Sequence, residues 1–113
     1  MTHNEVYKQA LEKYHCTERN EAEASLFYIL TAVAGENYEK FLDDASEKEP
    51  GGVFIDRNSL DWLDSTGQYR LVKLAFHLFT GRDEYVVPEI DFGSFDRNNF
   101  EIGLNAIRIR CGR

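Results

Sequence analysis

Residues Ser65 to Gly81 admit few structures other than a largely buried helix. Ser65 and Thr66 offer an N-cap, and Gly81 offers a C′ stop. Between them Leu71, Leu74, Ala75, Leu78 and Phe79 follow the i, i+3, i+4, i+7, i+8 spacing of an apolar stripe. Tyr69, Val72 and Phe76 widen that stripe, while Arg70, Lys73, His77 and Thr80 fall on one narrow polar line. A helix with so much apolar surface needs neighbours on several sides. The spacing therefore predicts a helix in the middle of a bundle.

Two further helices read clearly from their start signals. Thr2 with Glu5 has the form of a capping box, followed by Tyr7, Ala10, Leu11 and Tyr14 on one face. Asn20 with Glu23 opens a second, in which Ala22, Leu26, Ile29, Leu30 and Val33 form a stripe flanked by Phe27 and Tyr28. Gly35 stops it, and this helix is the expected packing partner of the Ser65–Gly81 segment.

The remaining stretches carry weaker signals. Glu36 to Ala45 reads as a shorter acidic helix with Tyr38, Phe41 and Leu42 inward. Ser46 to Gly52 is a loop around Pro-Gly-Gly, Val53–Ile55 a short extended piece, and Leu60, Trp62 and Leu63 apolar anchors. Tyr85 to Val87 favours β structure, although Pro88 limits it to an edge or a non-strand. Phe92 and Phe95 belong to a loop expected to tuck under the bundle. Asp96 or Asn98 can cap a last helix containing Phe100, Leu104 and Ile107. Ile107 to Cys111 alternates with period two, which also fits a strand, but the longer 100–104–107 spacing favours helix. The expected fold is thus mainly α: a single-domain bundle of four to five helices over residues 1–113, with irregular or β-like pieces near 53–55 and 85–87.

Charge separates the two parts of the chain. Residues 1–50 hold 5 Lys/Arg against 11 Asp/Glu, a net of −6 out of the total of −7. The excess lies in Glu36, Glu39, Asp43, Asp44, Glu47 and Glu49, interrupted only by Lys40 and Lys48, and is continued by Asp56, Asp61 and Asp64. Such a surface repels nucleic acid and anionic membranes and attracts basic protein surfaces; it also keeps a small protein soluble. The basic residues Arg108, Arg110 and Arg113 sit where they complement a helix C-terminus. No apolar run approaches the ~20 residues of a membrane span. The N-terminal residues lack the basic-then-apolar pattern of a secretory signal, and Cys16 and Cys111 read as reduced thiols, so the expected location is the cytoplasm.

Little in the sequence points to catalysis. The cysteines and histidines show no metal-ligand spacing, so neither a metal nor a cofactor is expected. His15 and Cys16 are adjacent, which is not the geometry of a nucleophile and its base. His77 is the best candidate titratable group, yet it shares its polar line with Arg70 and Lys73 and so fits a solvent-facing edge. Asp91–Gly93 matches a kinase tripeptide without the rest of the kinase signature, and Gly51–Gly52 lacks the Lys and Ser/Thr of a phosphate loop.

The segments Ser25–Leu30, Leu60–Thr66 and Arg70–Phe79 resemble an uncharacterised family of short proteins from Firmicute phages and mobile elements. The likeness runs from about Glu21 onward and rests mainly on core positions. It implies a non-enzymatic inhibitor of host machinery, such as an anti-CRISPR protein. On that reading the acidic residues Glu36, Glu39, Asp43, Asp44, Glu47, Glu49, Asp61 and Asp64 occupy a basic groove on a nucleic-acid-binding host protein, such as a CRISPR effector. Arg70, Lys73 and His77 are secondary contacts, and no direct nucleic-acid or membrane partner is expected. Two alternatives remain open: a small enzyme using His77 or the His15/Cys16 pair, and a module that homodimerises through Tyr85–Val87 or the Phe92/Phe95 loop.

Overall fold

The computed structural model describes residues 1–16, 20–43, 53–63, 66–85 and 95–112. Four α-helices account for most of them: α1 (His3–Lys13), α2 (Glu21–Ala34), α3 (Thr66–Thr80) and α4 (Arg97–Arg110). Three 3₁₀ turns, Gly35–Phe41, Arg57–Trp62 and Asp83–Tyr85, connect or extend them. No sheet forms among the described residues; Leu42 and Ile55 meet in a single antiparallel bridge. The architecture is an all-α bundle, as the periodicity predicts.

The start signals act as anticipated. The Thr2 hydroxyl accepts from the Glu5 amide at 3.2 Å, the Asn20 side chain from Glu23 at 3.3 Å, and Asp96 from Asn99 at 2.7 Å. Each satisfies an amide that a helix start leaves without an internal partner. Asp96 rather than Asn98 is therefore the cap of α4. This helix runs unbroken to Arg110, which settles residues 107–110 as helix. The proposed cap Ser65, the loop 46–52, Val86, Val87 and Phe92 lie outside the described residues.

The middle of the bundle belongs to α2, not to α3. Helix α2 packs against α1, α3, α4 and the Gly35–Phe41 turn. Ala24, Ser25, Leu26, Phe27, Ile29, Leu30 and Thr31 are all buried, so almost its whole circumference is covered. Its two buried hydroxyls turn back onto the helix: Ser25 donates to the Ala22 carbonyl at 2.9 Å and Thr31 to the Phe27 carbonyl at 2.6 Å. A central helix can carry these polar groups because they are satisfied locally. Helix α3 is the expected partner of α2 and buries Leu71, Val72, Leu74, Ala75 and Phe76, but Leu78 and Phe79 are only half-buried and Tyr69 is exposed. Its apolar arc is narrower in space than in sequence.

Two local readings change. The segment after α2 is a 3₁₀ turn rather than an α-helix. Gly35 has φ +58° and ψ −131°, which breaks the α-helical path and re-aims the chain. With three residues per turn, Tyr38 and Phe41 then fall on one edge and are both buried, with Leu42 following them inward. In α4 the buried positions are Gly103 and Ala106, flanked by half-buried Ile102 and Ile109. Phe100, expected inside, is exposed, and Leu104 and Ile107 are half-buried. Two small residues at the contact let α4 approach α2 and α3 closely, and helix separation follows the side chains at the crossing.

Candidate functional site

Glu36, Asp43 and Asp61 lie on or beside two short turns displayed by the core. The Gly35–Phe41 and Arg57–Trp62 turns pack against one another. Their positions relative to the core are fixed by buried Tyr38, Phe41 and Ser59, and by the bridge between Leu42 and Ile55. Two backbone hydrogen bonds hold that bridge: Asp43 N–H to Phe54 O at 2.9 Å and Asp56 N–H to Phe41 O at 2.8 Å. The two turns thus form one shoulder of the molecule. It carries Glu36, Asp43 and Asp61, all exposed.

Glu39 and Asp56 have other work. Glu39 takes a hydrogen bond from Tyr14 at 2.7 Å and lies 2.6 Å from the Lys13 ammonium. It ties the end of α1 to the shoulder and is largely spent as a surface charge. The pair is too exposed, at 54% and 32% of its side chains, to stabilise the fold by more than about 1 kcal/mol. Asp56 caps its own turn, accepting from the Asn58 amide at 2.9 Å. Asp44, Glu47, Glu49 and Asp64 lie outside the described residues.

The secondary candidates lie partly in solvent. Arg70, Lys73 and His77 are all half-buried. His77 places Nδ1 3.1 Å from the Arg82 carbonyl, beyond the end of its own helix. That contact closes α3 and fits a structural role. Arg110 is also engaged: its Nε donates to the Leu78 carbonyl at 2.9 Å, and its guanidinium lies 4.0 Å from Glu21. Arg108 is exposed, and Arg113 lies outside the described residues.

The cysteines are free, Cys16 buried and Cys111 exposed. His15 is exposed with φ +54°, a left-handed conformation that turns the chain out of α1. Burial pushes the Cys16 thiol up to about 12, and the Glu23 carboxylate beside it adds to the shift. The shift favours the protonated thiol, the opposite of the lowered pKa that activates a nucleophilic cysteine. A disulfide-exchange reagent at pH 8 should therefore label Cys111 quickly and Cys16 only as the protein unfolds. Two equally fast equivalents would contradict the burial of Cys16. Among the described residues no group of three or more His, Cys, Asp or Glu is placed to hold a metal ion.

Of the expected Tyr85–Val87 homodimer patch only Tyr85 is described, since Val86 and Val87 lie outside the described residues. Tyr85 sits in a 3₁₀ turn, buried against Phe76 with the rings edge to face at 5.5 Å. Among the described residues, no helix is long and apolar enough to cross a membrane.

No family model, curated protein or solved structure matches this chain.

One arrangement escapes sequence reading. Arg57, at the start of one turn, and Arg82, just past the end of α3, stand 25 positions apart, yet both reach the same carboxylate of Glu84. No local motif marks such a convergence, because the bridge and the end of α3 create it.

Proposed function

We propose that this chain is a non-enzymatic binding protein that docks its acidic shoulder on a basic protein surface. The observation that carries the reading is the display of Glu36 and Asp61 on two adjoining turns, with Asp43 beside the bridge that joins them, all three exposed. The net charge of −7 works in the same direction by speeding encounter with basic partners and repelling nucleic acid. Carboxylates on a firm backbone suit the forked donors of arginine, much as phosphates do. A groove that normally holds nucleic acid is therefore the partner surface of matching chemistry. The resemblance to short phage proteins adds a narrower version, in which the groove belongs to a host defence enzyme such as a CRISPR effector and the outcome is inhibition.

Affinity capture from bacterial lysate at low and at high salt tests the reading. A nucleic-acid-binding protein should be retained at about 50 mM salt and released above about 0.5 M, where charge attraction is screened within a few ångströms. Retention unaffected by salt would argue for an apolar interface instead.

A further inference from the structure

We propose that the cleft between the Val53–Arg57 segment and the end of α3 binds a small organic anion, a phosphate or carboxylate group carried on an aromatic body. The cleft has a volume of about 430 Å³, within the range of small-molecule sites. Its chemistry is divided. Phe54, which is 46% exposed, and the half-buried Phe79 supply aromatic surface. Arg57 and Arg82 supply two guanidinium groups from different segments.

The two arginines already hold a carboxylate. Glu84 Oε1 lies 3.4 Å from Arg57 Nη2 and 3.4 Å from Arg82 Nη1. The Glu84 side chain is 49% exposed and the arginines 58% and 57%, so an incoming anion can replace it without unfolding anything. Paired guanidinium groups around one acid oxygen are the donor arrangement that recognises carboxylates and phosphates. Glu84 does not itself line the cleft, but its contacts show that both guanidinium groups can converge on one acid oxygen.

A second observation is independent of the charges. Tyr85 forms part of the cleft wall, and among the described residues its buried hydroxyl has no hydrogen-bond partner. Orphaned buried hydroxyls are rare, because each forfeits a hydrogen bond it would make to water. The hydroxyl is closed to solvent, so a ligand atom satisfies it only where the cleft wall parts. Asp43 also lines the cleft and sets a limit on the anion, since it disfavours charge at its own end. The anionic group is thus assigned to the arginine side and the ring to the side of Phe54 and Phe79.

Amide NMR titration of the whole chain with phenyl phosphate, inorganic phosphate and benzyl alcohol tests the assignment. Phenyl phosphate should give saturable shifts at the amides of 53–57 and 80–85, binding about tenfold more tightly than either fragment, because ring and anion are recognised together. Arg57→Ala and Arg82→Ala should each weaken it about fivefold. Glu84→Gln should tighten it a few-fold by removing the internal competitor, a gain that a merely structural Glu84 would not produce. Absence of a localised, saturable shift overturns the proposal. So does inorganic phosphate binding as tightly as phenyl phosphate, which would reduce the site to two surface arginines.

Discussion

Replacing Phe27 by alanine is expected to lower the stability of this protein by about 3–5 kcal/mol. Phe27 is fully buried on the central helix. Its ring stacks on Tyr14 at 5.2 Å and meets the edge of Tyr38 at 6.0 Å. Those contacts join the end of α1, the centre of α2 and the 3₁₀ turn of the shoulder. Truncation leaves a cavity where three elements meet, and none of them can collapse into it alone. Against a typical total of about 5–15 kcal/mol, the loss approaches global unfolding. Urea denaturation of Phe27→Ala beside Phe100→Ala measures it. The exposed Phe100 should cost at most about 0.5 kcal/mol. Comparable losses at the two positions would mean that the core is misassigned.

Gly35→Ala should cost about 1–3 kcal/mol, and all of it through the backbone. At φ +58° and ψ −131° an L-residue is strained, yet a Cβ at this position would meet no atom within 4 Å. The cost is therefore free of any steric clash with neighbours. Thermal unfolding of the variant reads it directly. A neutral Gly35→Ala would show that α2 continues through residues 36–41 as an α-helix, with Glu36 and Glu39 on a different face.

The contrast between α3 and the Gly35–Phe41 turn explains what was legible. Apolar spacing located all four described helices, and the caps of α1, α2 and α4 each satisfy a specific amide close in sequence. Spacing could not say which helix is central. That depends on which neighbours arrive: α2 packs against all three other helices, whereas α3 packs mainly against α2 and α4 and two 3₁₀ turns. It could not separate 3₁₀ from α over 36–41 either, because Tyr38 and Phe41 at i, i+3 face one way in both. In α4 it ranked large residues above small ones, whereas the close crossing selects Gly103 and Ala106. The candidate surface was legible only as charge. Glu39 is drawn into a contact with Lys13 and Tyr14, both 25 or more positions away, and no local pattern encodes that.

The central claim is that the location of the acidic charge matters, not only its amount. Two double variants with the same change in net charge separate these effects. Glu36→Lys with Asp61→Lys reverses charge on the shoulder. Glu12→Lys with Glu101→Lys reverses it at exposed positions on α1 and α4. Affinity for the captured basic partner, measured by surface plasmon resonance at low salt, decides between them. The account predicts that the shoulder variant loses more than about tenfold, while the control stays within about threefold of the unmodified chain. Equal losses in the two variants, or full binding by the shoulder variant, would contradict it.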